Sequence, residues 1–407
     1  MKKKMSLTTK IFIGLFGGAL VGLALQGNPE VANIYIKPFG TLFLNMIKMV
    51  IVPLVFSSLV VGAASIGDPK ALGRIGGKTM LYYMLTTGFA VTIGIILSNV
   101  IKPGVGLQIP TGLEANAVEV PSLMDTFLNL IPAAPMKSIV NGDILQIIVF
   151  ALFMGIAATM ISKEKSQPFI DFFSSTAEIM YKITAFVMAF APYGVFALMV
   201  PVTASYGLDV LMPLAKVIIA VYLGCALHAI IVYSTAVKTF SKIKPVQFFK
   251  GIAPAAITAF TTTSSAGTLP VTIKNVRENF NVSEQVASFV LPLGATLNMD
   301  GTALYQGVCA IFIAQVFGVD LSISQMGIIV LTATLGSIGT AGVPGAGLIM
   351  LTLVLQSVGL PLEGLALVAG IDRILDMART SVNIIGDASC AVIVAASEGE
   401  DVKYTLA

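Results

Sequence analysis

The stretch DRILDMARTSVNIIGD, Asp372 to Asp387, decides the fold class, because it has a helical pattern and carries five formal charges. At about 100° per residue, its polar side chains fall within an arc of about 120° on one helix face. These residues, called the polar arc below, are Asp372, Arg373, Asp376, Arg379, Thr380, Asn383 and Asp387. The rest of the helix surface is almost wholly apolar.

The surrounding chain has the composition of a polytopic membrane protein. Of its 407 residues, 56% are hydrophobic and only 11% are charged, far less charge than the surface of a soluble protein requires. Four apolar runs approach or reach the roughly 20 residues that span a bilayer; they are 11–25, 81–100, 147–161 and 217–232. Facing lipid, the five charges of the polar arc would cost on the order of 15 kcal/mol. The arc must therefore face protein or a watery cavity.

Other features of the composition exclude several classes of function. The net charge of +3 indicates no nucleic-acid partner. His228 is the only histidine, which rules out histidine-cluster metal sites and favours a packed or interhelical residue over a catalyst. Cys225, Cys309 and Cys390 lack CxxC spacing, so we interpret them as packing residues. The first apolar run passes straight into further spans, so we expect no cleavable signal.

Hydropathy predicts six ordinary membrane spans in the first 240 residues. They lie at about 10–27, 35–66, 74–101, 124–161, 168–202 and 208–238. Pro132, Pro135 and Gly142 should divide the fourth span into several short helices, and Pro192 with Gly194 should kink the fifth.

The remaining apolar segments follow a different pattern. They are 246–277, 285–315, 325–357 and a last helix at about 362–396. Basic residues flank 246–277 on both sides, whereas none lies near 325–357, so these two segments should open to the inside and the outside respectively. Small and polar residues interrupt both, which predicts two opposed re-entrant hairpins, eight spans and cytoplasmic termini. Interrupted segments in two halves indicate a midplane binding site; two kinked ordinary helices are the alternative.

The polar arc has the chemistry of a site for a charged amino acid. Arg379 offers a permanently charged planar fork for a carboxylate, and Asp376 is suited to an ammonium group. Thr380 and Asn383 add neutral hydrogen bonds, and free backbone N–H groups at the hairpin tips suit a second carboxylate. A set of hard oxygens suits Na⁺; it comprises Asp387, Asn383, Asn298 and Asp300. A purely structural ion-pair network is the alternative.

Four motifs resemble those of a known family. They are TSSAGTLP at Thr263–Pro270, NMDGT at Asn298–Thr302, GTAGVPG at Gly339–Gly345 and DMART at Asp376–Thr380. In this order they are similar to the signature motifs of the dicarboxylate/amino acid:cation symporters, the glutamate transporter homologues. The resemblance covers nearly the whole chain. It implies a multi-pass protein of the plasma (inner) membrane, surrounded by lipid, that imports aspartate or glutamate with sodium.

The same resemblance implies an architecture. It is an all-α homotrimer with inverted repeats, in which each chain, 1–407, is one transporter unit. A scaffold would comprise about 10–66 and 124–202. A transport domain, about 74–101 and 208–396, would carry both hairpins across the membrane like an elevator. The second hairpin, 325–357, would be the outer gate.

Site residues follow from the resemblance by motif. Substrate contacts would be Ser265, Thr302, Val343, Gly347, Asp376, Arg379, Thr380 and Asn383. One sodium site would use Gly294, Asn298, Asn383 and Asp387, and a second Thr296, Ser337, Ile338 and Thr340. A third would use Tyr83, Thr86, Thr87, Asn298 and Asp300, with Met299 between sites. In the family, the counterpart of Asp376 binds the amino group and that of Arg379 the side-chain carboxylate.

Two positions depart from the pattern of the family. Some prokaryotic relatives have an arginine in the first hairpin where this chain has Thr263, and Arg373 is a candidate to supply that charge. Gln306 stands where proton-coupled relatives carry glutamate, which favours sodium alone over sodium plus proton.

Several alternatives to sodium-coupled import of an acidic amino acid were considered. Proton-coupled glutamate, cystine and C4-dicarboxylate carriers belong to the same class, although Asp376 disfavours substrates without an amino group. An intramembrane hydrolase would need an activated nucleophile, but the chain has no nucleophile-elbow motif. A passive channel is disfavoured because conduction needs weak sites. We therefore predict a transporter, not an enzyme.

Overall fold

The computed structural model describes residues 5, 7–64, 73–107, 128, 131–207, 211–338 and 346–405. This part of the chain is helical and contains no strand, as the sequence predicts for an all-α protein. The main helices are α1 Leu7–Ala24, α2 Lys37–Ala64, α3 Gly73–Ile101, α4 Ile144–Thr159, α5 Lys163–Tyr206, α6 Leu211–Leu227, α7 Ser234–Phe240, α8 Pro245–Thr262, α9 Ser265–Phe280, α10 Glu284–Leu297, α11 Asp300–Val316, α12 Ile323–Ser337, α13 Ala346–Ser357 and α14 Asp372–Ser397. Shorter segments are Pro29–Val31, Pro135–Asn141, Leu365–Ala369, the 3₁₀ turn Leu362–Gly364 and the π-helical turns Ala32–Ile36 and His228–Tyr233.

Proline and glycine divide the fourth and fifth predicted spans as expected. Pro135–Asn141 is a short helix that ends at Gly142, whose φ is 75°, before α4 begins. Helix α5 bends by 48° between its halves, Lys163–Val187 and Ala189–Ser205. Pro192 has no N–H to bond the carbonyl four residues earlier, at position 188, which accounts for the position of the bend.

The last predicted helix, 362–396, is not continuous. Helix α14 begins only at Asp372, after the turn Leu362–Gly364 and the short helix Leu365–Ala369. The interruption has hydrogen bonds of the 3₁₀ type: Ile371 N–H donates to Val368 O at 3.0 Å, and Ile374 N–H donates to Ile371 O at 3.0 Å. These bonds span three residues rather than four. The polar arc therefore starts at the first residue of α14.

Helices α8 and α9 form an antiparallel pair with a tight connection. Asn279 Nδ2 donates to Gly251 O at 2.7 Å, and Ala255 N–H donates to Asn275 Oδ1 at 3.1 Å. The chain reverses at Thr263, which adopts a left-handed φ of 51°, and Ser264 Oγ then accepts from Gly267 N–H at 3.0 Å to cap α9. The interruption predicted within 246–277 is thus a turn between two helices.

Helices α12 and α13 also pack against each other. Their connection includes 339–345, which lies outside the described residues. The break predicted within 285–315 separates α10 from α11 at Asn298 and Met299.

The helices pack in two groups. Helices α1, α2 and α4 pack on one another or on α5, whereas α14 contacts α3, α6, α8, α9, α10, α11 and α13. The groups meet where α12 contacts α4, where α13 contacts α2 and α4, and where Leu365–Ala369 contacts α5. Helix α14, with the polar arc, is therefore central to the second group.

By length and hydropathy, three of the described helical stretches could cross a bilayer. They are Arg74–Ile101, Leu211–Phe240 and Asp372–Ser397. The two halves of α5 make a fourth if the bent pair counts as one span. The other predicted spans are divided or contain shorter apolar helices, so the expected eight spans stay a prediction.

Candidate functional site

The polar arc lies in the interior of the second helix group. All of its members are buried except Arg373, whose side chain keeps 23% of its surface exposed. Helices α10, α11 and α13 approach this face, since Gly294 lies against Asp387 and both Gly301 and Gly347 lie against Arg379. The costly charges therefore face protein, as the sequence predicts.

Arg379 is fully buried between two carboxylates and an aromatic ring. Its Nη1 donates to Asp372 Oδ1 at 2.8 Å, and its Nη2 lies 2.9 Å from Asp376 Oδ1. Its Cζ stands 4.1 Å from the centroid of the Tyr305 ring, a cation–π arrangement. Among the described residues, Nε of Arg379 has no hydrogen-bond partner, and Nη2 is ion-paired with Asp376 without an aligned hydrogen bond. The guanidinium is charge-balanced but retains donors for a further acceptor.

Asp376 lies between two arginines. Its Oδ2 is 3.8 Å from Arg373 Nη1, and its Oδ1 accepts from Thr380 Oγ1 at 3.4 Å as well as facing Arg379. Arg373 therefore approaches Asp376, a pairing that the sequence left open. Asp372, by contrast, reaches along the helix to Arg379.

Asn383 connects the polar arc to the start of α11. Its Oδ1 accepts from Gly301 N–H at 2.8 Å. Its Nδ2 donates to Met299 Sδ at 3.2 Å and to Thr302 Oγ1 at 3.5 Å. The NMDGT motif and the α14 arc are thus joined directly, and Thr302 lies beside the predicted substrate residues.

Asn298 also contacts Asp387, which lies four residues after Asn383 on α14. Asn298 Nδ2 donates to Asp387 Oδ1 at 2.9 Å and to Asn383 O at 3.1 Å. Asn298 Oδ1 is buried and has no partner among the described residues. Gly294 lies against the same group, because a β-carbon there would be 2.7 Å from Asp387 Cγ and 2.5 Å from Tyr83 Oη. The first predicted sodium set is therefore assembled, with an unused carbonyl oxygen.

Asp300 is fully buried and accepts hydrogen bonds from three side chains. Thr87 Oγ1 donates to its Oδ1 at 2.6 Å, and Tyr233 Oη donates to its Oδ2 at 2.7 Å. His228 Nε2 lies 3.2 Å from the same Oδ2. The prediction had paired Asp300 with Thr87 but not with Tyr233 or His228. The interhelical role suggested for the lone histidine is confirmed, although its partner had no local signal.

The remaining predicted residues lie on neighbouring elements. Gly347 packs against the Arg379 guanidinium, since a β-carbon there would be 2.7 Å from Nη1. Ser265 is buried at the start of α9, and Ser337 Oγ donates to Leu297 O at 3.3 Å. Among the described residues, the predicted members without a hydrogen bond to the polar arc are Ser265, Gly294, Gly347, Tyr83, Thr86, Thr87, Thr296, Ser337, Ile338 and Asp300. Thr340 and Val343 lie outside the described residues.

Sequence reasoning missed Tyr305 and the role of Asp372. Both contact Arg379, one through its ring and one through its carboxylate. Asp372 belongs to the polar arc, so the sequence predicted that it faces inward. Its ion pair with Arg379, seven residues later, was not predicted. Among the described residues, no group of three or more His, Cys, Asp or Glu could hold a metal ion. A hard cation would need neutral oxygens besides a carboxylate.

The whole chain is similar to known transport proteins. A sequence profile of the sodium:dicarboxylate symporter family matches residues 7–397. The proton/sodium-glutamate symport protein of Geobacillus stearothermophilus is 41% identical over 407 residues, covering 98% of this chain and 96% of that protein. The proton/glutamate-aspartate symporter of Escherichia coli (strain K12) is 38% identical, covering 99% and 96%. The C4-dicarboxylate transport protein of Bacillus subtilis (strain 168) is 34% identical, covering 98% and 95%.

Proposed function

The chain belongs to the sodium:dicarboxylate symporter family and is a membrane-embedded transporter, and on this premise we propose that it imports aspartate or glutamate with sodium ions. The family and its relatives are transporters rather than enzymes. What the polar arc adds is a reason to expect an acidic amino acid as the transported compound.

The observation that carries this proposal is the environment of Arg379. Among the described residues, its buried Nε has no hydrogen-bond partner and its Nη2 is ion-paired with Asp376 at 2.9 Å without an aligned hydrogen bond, although such donors normally have one. A substrate side-chain carboxylate would satisfy both with the bidentate geometry that guanidinium groups favour. The substrate ammonium would then lie near Asp376, three residues away on the same face.

Sodium coupling is supported by the oxygens near Asn383 on the polar arc. Asn298 Oδ1 has no partner among the described residues, and it and the buried carboxylates of Asp387 and Asp300 are hard ligands of the kind that suit Na⁺. Asn383 belongs to both the predicted substrate set and the first predicted sodium set. Its side-chain Oδ1 accepts a hydrogen bond from Gly301 N–H, and its backbone carbonyl accepts one from Asn298 Nδ2. Bound sodium would therefore order Asn383, one of the predicted substrate residues, which is a physical route to coupling.

The transport cycle follows the architecture that the sequence suggests. The α8–α9 and α12–α13 pairs would be the two re-entrant hairpins, with α12–α13 as the outer gate. The group around α14 would move as one body against α1, α2, α4 and α5, in a homotrimer of the plasma membrane with cytoplasmic termini. The separate packing of the two helix groups supports this division.

The names of the relatives leave the coupling ion and the substrate open. They include proton/sodium-glutamate, proton/glutamate-aspartate and C4-dicarboxylate transport proteins. The pairing of a buried arginine with Asp376 favours a substrate that has both a second carboxylate and an amino group. Gln306, which has no ionisable proton, favours sodium over proton coupling.

Uptake by purified protein in liposomes tests the proposal. We expect aspartate or glutamate to accumulate only with an inward sodium gradient. Equal uptake with potassium on both sides and a pH gradient would contradict sodium coupling. A competition panel of aspartate, glutamate, cystine and succinate would then rank the substrates, and strong competition by succinate would contradict the role of Asp376.

A further inference from the structure

The carboxylate of Asp300 is held in one orientation by donors from two separate parts of the chain. Thr87 on α3 donates to Oδ1, whereas Tyr233 and His228 both face Oδ2. All of these side chains are buried. Because a carboxylate only accepts hydrogen bonds, the His228 nitrogen that faces it, Nε2, carries the proton.

A local break in helix geometry places His228 and Tyr233 on the same side. In a regular α-helix, residues five apart are about 140° apart around the axis, so these two side chains would point in different directions. His228–Tyr233 is a π-helical turn, in which hydrogen bonds link residues five apart. The two rings meet edge to face with centroids 4.6 Å apart, and both reach Asp300.

The other ring nitrogen of His228, Nδ1, indicates that the polar role of this side chain is its contact with Asp300. Nδ1 is buried and has no hydrogen-bond partner among the described residues. A histidine retained only for packing would not need a polar atom there, since an unsatisfied buried nitrogen costs free energy. The contact of Nε2 with Asp300 is the polar interaction that the structure gives this side chain.

We propose that His228 is a positioning residue for sodium binding: it helps to fix the Asp300 carboxylate so that the remaining lone pair, on Oδ1, faces the cation. The inference rests on the proposed function, because Asp300 belongs to the third predicted sodium set. With three donors in place, the carboxylate does not need to be ordered when sodium enters. Removing the His228 donor leaves the carboxylate freer to rotate, so sodium binding has to include the cost of ordering it.

Two substitutions separate positioning from packing. His228→Gln keeps an N–H at a position equivalent to Nε2 but loses the ring, whereas His228→Phe keeps the ring against Tyr233 but loses the donor. Aspartate affinity is measured by calorimetry on purified protein over a series of sodium concentrations. We expect H228F to raise the sodium concentration for half-maximal binding about tenfold and H228Q to stay within about twofold of wild type. At saturating sodium, both variants should bind aspartate with wild-type affinity.

The opposite order, with H228F normal and H228Q impaired, would show that the ring packs and does not position. Equal behaviour of the two variants would also overturn the inference. Should H228F fail to fold, His228→Asn provides a second test, since its shorter amide lies near the unpartnered Nδ1 position, and it should also raise the sodium requirement.

A control variant and the wild-type measurement separate a failure of the role proposed for His228 from a failure of the proposed function. Tyr82→Phe removes another partly buried hydroxyl bond of α3, from Tyr82 to Ser389 at 2.7 Å, and should leave the sodium dependence unchanged. If aspartate binding by the wild type does not depend on sodium, the proposed function fails. If it does, and H228F retains the wild-type sodium dependence, only the role of His228 fails.

Discussion

Arg379 has the most demanding environment of any residue in the polar arc. A buried guanidinium needs compensating charge, and Asp372 and Asp376 supply it on one side while the Tyr305 ring faces it on another. With two carboxylates already nearby, a substrate carboxylate would be accepted only when the substrate ammonium offsets Asp376. Under the proposed function, the same arrangement would favour zwitterionic acidic substrates over simple dicarboxylates.

Replacing Arg379 with alanine should abolish acidic substrate binding. The change removes the bidentate donor and leaves two carboxylates without their counterion, so we expect at least about a hundredfold loss of aspartate affinity. Calorimetry at saturating sodium measures it. Arg277→Ala is the matched control, because Arg277 is a solvent-exposed arginine paired with Glu284, and its affinity should match wild type. Unchanged aspartate affinity in R379A would refute the assigned role.

Gly294 is a second residue whose identity follows from its contacts. A β-carbon at this position would lie 2.5 Å from Tyr83 Oη and 2.7 Å from Asp387 Cγ. Gly294→Ala must therefore displace the Asp387 carboxylate or the Tyr83 ring, at a cost of about 1–3 kcal/mol. We expect a sodium requirement at least about tenfold higher in calorimetric titrations. Gly77→Ala, on α3 with open space around its β-carbon, should behave as wild type; equal behaviour of the two variants would contradict the argument.

At the scale of elements, the sequence predicted interruptions between helices more accurately than changes of helix geometry, such as a π-helical turn. Pro192, Gly142 and the polar run at Thr261–Gly267 mark real interruptions, because proline removes a donor and glycine permits a left-handed turn. The π-helical turn at His228–Tyr233 contains neither residue and follows from tertiary contacts. The start of α14 was likewise missed, because Gly370–Ile371 forms a tighter turn with no polar signal.

A charged cluster ties the start of α3 to the residue that follows α14. Glu398, which follows α14, accepts from Arg74 Nε at 2.9 Å and from Lys78 Nζ at 2.7 Å, near the start of α3. Lys78 Nζ also donates to Ser397 O at 3.2 Å. The hydrogen bonds from Arg74, and then those from Lys78, hold the pKa of the Glu398 carboxyl below its ordinary value.

A lowered pKa makes this tie sensitive to acid. A carboxyl whose pKa is depressed by folding stabilises the protein above its unfolded value, and that contribution is lost as the pH falls through the folded pKa. Glu398→Gln should therefore lower Tm in detergent at pH 7, and the difference from wild type should shrink below about pH 4. In an R74Q/K78Q background, E398Q should produce no further loss at pH 7. A constant difference down to pH 3 would contradict the tie.

At the scale of the whole molecule, the sequence predicted which residues share a face but not which faces meet. The polar arc follows from one helical period, and its burial from the cost of charge in lipid, so six of its seven members lie inside as expected. His228, Tyr233 and Asp300 belong to elements separated by many residues, and no local pattern brings them together. Contacts of this kind depend on how the helices pack, which the hydropathy pattern does not specify.

One contact between the two helix groups allows the proposed sliding motion to be tested. Leu15 on α1 packs against Gly370, just before α14, and a β-carbon at Gly370 would lie 3.3 Å from Leu15 Cγ. With cysteine at both positions, the sulfur at position 15 would stand near the present Leu15 Cγ, and so 3.3 Å from the β-carbon at position 370, which is close enough for a disulfide. The native Cys225, Cys309 and Cys390 are free and buried, so they can be retained in the test.

Oxidation of the L15C/G370C variant should stop transport without stopping binding. If the α14 group has to slide past α1, a disulfide between them holds one position, so uptake into liposomes should fall below about a tenth of the reduced protein and recover with reductant. Sodium-dependent aspartate binding in detergent should persist, because the bond lies outside the polar arc. The single variants L15C and G370C should transport equally with and without oxidant. Full uptake by a sample whose disulfide is confirmed by mass spectrometry would show that the two groups need not move past each other at this contact.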